Sequence, residues 1–390
     1  NSIKLNSTTI SNSTLNNITI YVSAFDLDND NDGKIDGLTD TDGDGILDNF
    51  DTDNSVFGSP RDLENGFYSL YFDGRNDYVE EAVNIVQGLS KVTQMAWVKI
   101  DSDFSSKGAI MGQKNFWVTV FPSRKVRVYT SNNTFLQVPS SSKLEYNTWA
   151  HIAVIYDGTA SDERLKILIN GEKIASGNDL SGAIPYSNNT VYRIGRKPFD
   201  SGQQQYFKGQ IDEVRVFNTN LSEEEVQKIV YQELDENQNF NKGKTIPKDI
   251  SENNIGNNLI RYYKMDSFKD VILDNKVTSN IDEGSGAVIY NVKDLYFQSA
   301  PLPYKTIQDG DWDSAETWSH GNTWDITEFD NIKDWGIVEI DNEITLSESF
   351  TSSGLIIKEN GVLNVEGDSP IYNKWFLGLY GTLDLKGDSQ

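Results

Sequence analysis

The sequence predicts an all-β protein: a β-sandwich preceded by acidic loops and followed by the start of a β-solenoid. Three observations lead there. Short apolar–polar alternations bounded by turn residues recur between residues 66 and 235. Aspartate stands at every second position, twice over, between residues 26 and 53. A glycine-led nonapeptide repeats near the C-terminal end, "GVLNVEGDS" at 361–369 and "GTLDLKGDS" at 381–389.

Composition narrows the class further. The 390-residue chain is long enough for about two to four domains. It carries 59 acidic against 34 basic side chains, a net charge of −25. Nucleic acid and anionic membranes require a basic face, so neither is an expected partner. The absence of cysteine excludes disulfides, thiolate metal sites and cysteine nucleophiles. No apolar run reaches the roughly 18 residues of a membrane-spanning helix, so no membrane insertion is expected. The chain opens in mid-strand without a signal peptide and reads as a piece of a longer polypeptide, with further domains expected on both sides.

Residues 1–25 are rich in Ser, Thr and Asn with alternating β-branched residues, the end of a preceding β segment. Residues 26–57 follow. Asp28, Asp30, Asp32, Gly33 and Asp36 spell D-x-D-x-D-G-x-x-D, and Asp40, Asp42, Asp44, Gly45 and Asp48 repeat it twelve residues later. Asp26, Asp51 and Asp53 bring the set to eleven, against Lys34 alone. Such crowding is repulsive without a counter-charge. Alternate carboxylates on a tight loop converge their oxygens, and glycine turns the chain around the ion. The expected ion is Ca2+; the bland alternative is a charged linker. An EF-hand is excluded because its twelfth position needs a glutamate where Asp51 stands, and back-to-back loops leave no room for helices. The loops resemble thrombospondin type 3 repeats, calcium-filled spacers in secreted proteins, without the cysteines those repeats often carry. Two ions are expected, one among Asp28, Asp30, Asp32 and Asp36, the other among Asp40, Asp42, Asp44, Asp48 and Asp51.

Residues 58–235 contain the sandwich. "YSLYFDGRNDYVE" gives two strands around Asp73-Gly74, and "VTQMAWVKI" alternates Met95, Trp97 and Lys99 against Ala96, Val98 and Ile100. Asn170-Gly171 inside "RLKILINGEKIA" is a strong hairpin signal. In "NLSEEEVQKIV", Ser222 and Glu225 form a capping box and Leu221 can staple to Val226, which predicts a helix. "LYFDGRNDYVE", "MAWVKI", "WAHIAVIYDG", "LKILINGEKIA", "YRIGR" and "GQIDEVRVFNTNLSEEEV", in that order, closely resemble the laminin G-like, concanavalin A-like jelly-roll family. The resemblance implies a module that binds glycans or proteins, often with calcium at the sandwich edge. Asp73, Asp77 and Asp212 stand in the matching motifs and either share such an ion or serve turns and ion pairs.

Residues 236–300 read as a connecting β/loop region. Residues 301–390 read as a β-solenoid-like, incomplete domain: the nonapeptide has a looser third copy in "GIVEIDNEITL" from residue 336. The preceding "DGDWDSAETWSHGNTWD" resembles the opening segment of solenoids in surface proteins of type IX-secreting bacteria.

Catalysis is not expected. Glucan hydrolases of this fold need paired carboxylates on one strand, as in E-x-D-x-x-E, and "VEEAV", "SDERLK", "IDEVR" and "SEEEV" lack that spacing. His151 and His320 are the two histidines, and His151, beside Trp149 in a strand, reads as a packed or rim residue rather than a catalyst. Trp117, Tyr129, Phe199 and Tyr206 are candidates to stack on sugar rings. The expected protein is a calcium-stabilised, secreted or outer-surface adhesion protein, binding a glycan or protein ligand on a surface. The alternatives are a structural stalk or a non-catalytic region of a larger polysaccharide-degrading enzyme.

Overall fold

The structure, a computed structural model, describes residues 68–131, 134–188, 191–269, 272–277, 286–292, 295–297, 300–319, 334–367 and 369–386. The expected calcium ligands between Asp26 and Asp53, the segment 1–25 and His320 lie outside the described residues. Residues Asn65–Ser267 and Ile272–Gln390 form one compact unit. Of the other, Asn1–Glu64 with Phe268–Val271, one short strand is described.

The strands run β1 (Tyr68–Asp73), β2 (Tyr78–Glu81), β3 (Lys91–Ile100), β4 (Gly108–Gln113), β5 (Phe116–Val120), β6 (Val126–Tyr129) and β7 (Phe135–Gln137). Then come β8 (Trp149–Asp157), β9 (Leu165–Ile169), β10 (Glu172–Gly177), β11 (Tyr192–Ile194) and β12 (Lys208–Phe217). Helix α1 (Glu223–Val230) precedes β13 (Leu259–Tyr263), β14 (Phe268–Lys269, the strand of the other unit), β15 (Ile272–Asp274), β16 (Gly286–Tyr290) and β17 (Leu295–Phe297).

The first sheet has the order β10-β9-β8-β3-β12-β1-β17, with β13 also paired to β12; the second runs β15-β16-β2-β11-β4-β5-β6-β7. Their inner faces meet where Phe116 packs on Tyr156, ring centroids 5.6 Å apart, and where the Tyr192 hydroxyl donates to Gln94 Oε1 at 3.1 Å. Strand β3 is apolar on both faces because both are covered: Ala96 and Val98 on one, Met95 and Trp97 under α1 on the other.

The segment 236–300 corrects its expected role as a connector. β13 pairs β12, β16 pairs β2 and β17 pairs β1, so the sandwich continues to residue 297. The tie is electrostatic as well: Arg261 of β13 holds Glu81 of β2 at 2.7 Å, and the Tyr263 hydroxyl donates to the same carboxylate.

Helix α1 has the expected capping box, the Glu225 N–H donating to Ser222 Oγ at 3.1 Å and the Ser222 N–H to Glu225 Oε2 at 2.7 Å. Its last carbonyls receive buried donors: Trp97 Nε1 reaches Val230 O at 3.0 Å and Arg215 Nη1 reaches Ile229 O at 2.8 Å. Glu213 holds Arg215 in place from a bulge at positive φ (52°). The I-D-E-V-R motif thus seats the helix on the sheet.

Beyond residue 300, β18 (Tyr304–Lys305), β20 (Ile337–Ile340), β22 (Phe350–Ile357) and β24 (Ile371–Leu379) form one parallel sheet. β19 (Gly310–Asp311), β21 (Glu343–Leu346), β23 (Val362–Glu366) and β25 (Thr382–Lys386) form a second. Consecutive strands alternate between the two, so the chain winds as a coil. Ile344, Leu363 and Leu383 stand in register, as do Leu346, Val365 and Leu385. Of the loose third repeat, the half in register with the nonapeptides is therefore Glu343–Leu346. One hydrophobic cluster runs from Trp97 and Trp149 through Val226 and Ile229 of α1 to Tyr304, Trp318, Val338 and Leu355 of the coil. No helix among the described residues is long and apolar enough to cross a membrane.

Candidate ligand-binding face

Strand alternation puts every second residue of β5 and β6 on the outer face of the second sheet. Phe116, Val118 and Val128 point inward; Trp117, Thr119, Arg127 and Tyr129 therefore point outward. Register continues the outer row across strands: Arg193 opposite Gly112, Gly112 opposite Trp117, Trp117 opposite Tyr129, Tyr129 opposite Phe135. Thr119, Arg127 and Gln137 form the neighbouring row.

The aromatics lie in two tiers. Trp117 and Tyr129 stack face to face at 4.5 Å with planes 10° apart, and are 2% and 7% exposed. Phe199 meets Trp117 edge-on at 5.3 Å, and Phe135 meets Tyr129 at 5.7 Å. Phe135 is 40% exposed, and Phe121 and Phe199 are half-buried, so these three form the upper tier. The buried Trp117 Nε1–H has no acceptor among the described residues.

Cations sit among the rings. The Arg127 guanidinium lies 3.6 Å from the Phe135 centroid and 3.9 Å from that of Phe121. Its Nε and Nη2 donate to Gln137 Oε1 at 3.0 and 2.7 Å, and its Nη1 to the Tyr129 hydroxyl at 3.0 Å. Lys107 stands 4.6 Å over Phe121; Lys197 and Lys114 stand 4.4 and 5.8 Å from Phe199.

Further along the same face, Tyr78 stacks on Tyr290 at 4.5 Å, and Arg196 lies over both Tyr78 and Tyr206. Glu80 and Asp200 are held by arginines: Arg193 to Glu80 at 2.6 Å and to Asp200 at 2.9 Å, Arg196 to Asp200 at 2.6 Å. The hydrogen bond from Arg193, with the nearby guanidinium charge, pulls the Asp200 carboxyl below its ordinary range.

Of the aromatics singled out in the sequence, Trp117, Tyr129 and Phe199 come together, while Tyr206 belongs to the second cluster. Arg127, Phe121 and Phe135 escaped the sequence reading; the V-R-V-Y alternation, with arginine and tyrosine on one side, was the available signal. Asp73 and Asp77 build a turn, the Asp73 N–H donating to Asp77 Oδ2 at 2.8 Å and the Arg75 N–H to Asp73 Oδ1 at 2.7 Å. Asp73 pairs with Lys208, which sets Asp212 four residues away along β12, about 13 Å at strand rise. The three do not converge on one ion. His151 is buried, as expected, and burial with the charge of Arg215 lowers its pKa to about 3.

A cavity of about 950 Å³ opens elsewhere, lined by Lys244, Pro247, Leu302, Lys305, Ile356 and Tyr380 among others. Its lysines are already answered: Lys305 and Lys358 by Glu339, Lys244 by Glu233. Its apolar and charged lining offers less specific chemistry than the aromatic face.

A family model described as the concanavalin A-like lectin/glucanases superfamily matches residues 73–227. Together with the two apposed sheets, it makes the sandwich a concanavalin A-like jelly-roll domain. No curated protein matches the chain. Among solved structures, a candidate carbohydrate-binding protein from Bacteroides ovatus is similar over 61% of this chain and 62% of its own, with 20% identity and a TM-score of 0.45. The chain thus spans less than two thirds of that protein. A SAP-like pentraxin from Limulus polyphemus matches 43% of this chain and 82% of its own, at 16% identity and a TM-score of 0.34. The CBM40 module of Ruminococcus gnavus IT-sialidase, bound to α2,3-sialyllactose, matches 37% of this chain and 95% of its own, at 15% identity and a TM-score of 0.29.

Proposed function

We propose that the sandwich is a carbohydrate-binding module of a calcium-stabilised adhesion protein, secreted or displayed on the outer surface of a cell. The observation that carries the reading is the two-tier aromatic row on the outer face of the second sheet. Pyranose rings present an apolar C–H face that an aromatic ring covers, while side-chain donors and acceptors at the rim take the hydroxyls. Phe135, Phe121 and Phe199 supply the rings; Arg127, Gln137 and Tyr129 supply the rim. The lectin/glucanase description of the matching family supports the same reading.

Binding is favoured over catalysis. Glu80 and Asp200 lie on this face, and both are paired with Arg193. Asp200, its pKa lowered first by the hydrogen bond from Arg193, is a poor proton donor to a glycosidic oxygen. The test is a glycan array with isothermal titration of its strongest members. Replacing Phe135 and Phe199 together by Ala should weaken binding at least about tenfold while leaving the unfolding midpoint nearly unchanged. Undiminished binding would place the site elsewhere.

A structural stalk is a second reading, favoured by the continuous core that joins sandwich and coil. In it the parallel coil is a β-solenoid and the aspartate loops are thrombospondin type 3-like spacers. It differs from the first in predicting an empty glycan array.

A further inference from the structure

The aromatic face inverts the sign of the protein around it. The chain carries 25 net negative charges, yet Lys107, Lys114, Arg127 and Lys197 border this one row of rings. No carboxylate lies within 4.0 Å of any of the four among the described residues. Elsewhere in the sandwich most cations, among them Lys91, Lys166, Lys173, Arg193, Arg196, Lys208, Arg215 and Arg261, have acidic partners. Lys99, Lys125, Lys143 and Arg164 also lack one among the described residues, but none of these borders the rings of Phe121, Phe135 or Phe199.

Lys197 is the most telling. It is 4% exposed, its ammonium donates to the Ser201 carbonyl, and burial lowers its pKa. A buried cation without an anion is costly. The neighbouring carboxylate, Asp200, is taken up by Arg193 and Arg196. Arg127 is similarly poised. Its five N–H groups include three that bond Gln137 and Tyr129, which leaves two without an acceptor among the described residues. The rings of Phe121 and Phe135 fix the plane of the guanidinium. Nearby, the Trp117 indole N–H is buried and also lacks an acceptor among the described residues. Unused donors and cations without a carboxylate thus lie at or just beneath the exposed rings of one face.

We propose that the ligand of this face is an acidic saccharide, with rings lying on Phe135 and Phe199 and carboxylate or sulfate groups received by Arg127 and the three lysines. The proposal rests on the carbohydrate-binding reading and adds the charge of the ligand to it. Net repulsion from the rest of the molecule would be overcome only where the anion reaches this patch, which makes the charge a determinant of position as well as affinity.

The test uses the whole chain on an array of neutral, uronate-containing, sialylated and sulfated oligosaccharides, read at about 50 and 300 mM salt. Acidic members should be retained over neutral ones, with binding falling as salt rises. Lys107→Gln with Lys114→Gln, both half-buried at the rim and free of ion pairs, should fold normally and reduce that binding about tenfold. Arg127→Gln should reduce it further. Lys358→Gln with Lys374→Gln, both in the coil, serves as the charge-matched control for the rim pair, and Lys374→Gln alone for Arg127→Gln; neither should reduce it. Uronate or sialate against sulfate members then identifies the anion, and either supports the proposal. Retention of neutral members alone, or acidic binding indifferent to the rim and Arg127 variants, would overturn it while leaving a carbohydrate-binding module in place. An array with no binding would overturn both.

Discussion

His151 is enclosed in β8, edge-on to Trp97 at 5.5 Å, with its Nδ1 buried and unpartnered. Burial and the facing Arg215 lower its pKa to about 3, against 6.5 for the free side chain. Between those values the unfolded chain takes up a proton that the native state refuses. Its contribution to stability is therefore complete above pH 6.5 and lost as pH falls toward 3. Asp266 acts oppositely: burial raises its pKa to about 7, so its contribution is complete below pH 3.8 and declines as pH rises through 7. The two are separated by substitution. The stability difference between the native chain and His151→Leu should change by about 1.4 kcal/mol per pH unit between pH 6 and 4, measured by urea unfolding. A difference that does not vary with pH would show that His151 is solvated. At this scale Trp117, Tyr129 and Phe199 were legible only as candidates, because with 8 Trp, 18 Tyr and 18 Phe most aromatics belong to the core and the sequence alone names no sugar site. Arg127 was not, since a strand arginine is ordinarily solvated and the lack of a counter-ion is a property of the assembled surface.

The β9–β10 hairpin is the element where local and long-range demands coincide. Asn170 and Gly171 take positive φ, 50° and 82°, as the two-residue turn requires. Trp335 of the coil docks on the same turn, its Nε1 donating to Asn170 O at 2.8 Å. A Cβ on Gly171 would lie 2.5 Å from that nitrogen. Gly171→Ala should destabilise the protein by about 2 kcal/mol, combining the cost of positive φ with displacement of the indole. In a Trp335→Ala background the same change should cost distinctly less, since only the backbone strain remains. Equal costs in the two backgrounds, read by denaturant unfolding, would rule out the contact as their source. The hairpin and the α1 cap were readable because their signals span a few residues. The placement of β1 and β2 in different sheets was not: the turn between them, Asp73 to Asp77, is as short as a hairpin's.

Across the whole molecule, the jelly roll was readable from ordered motifs, whereas the role of residues 259–297 was not. Short strands such as Gly286–Tyr290 and Leu295–Phe297 pair with strands some 200 positions earlier. At the other end, the eleven aspartates between Asp26 and Asp53 carry a prediction of their own. Calcium at about 0.1 to 1 mM should protect that segment from protease, and EDTA should expose it while the sandwich survives. Equal cleavage with and without the ion would leave it a charged tether. The core that passes from Trp97 through α1 to Trp318 has a further consequence. Because sandwich and coil share one apolar cluster within one compact unit, the two should tumble with a single rotational correlation time. If the aromatic face binds a saccharide as proposed, the shared core would hold that ligand at a fixed angle to the coil's winding. Under that proposal, torque applied along the coil would reach the ligand through the shared core, with the coil as a lever arm.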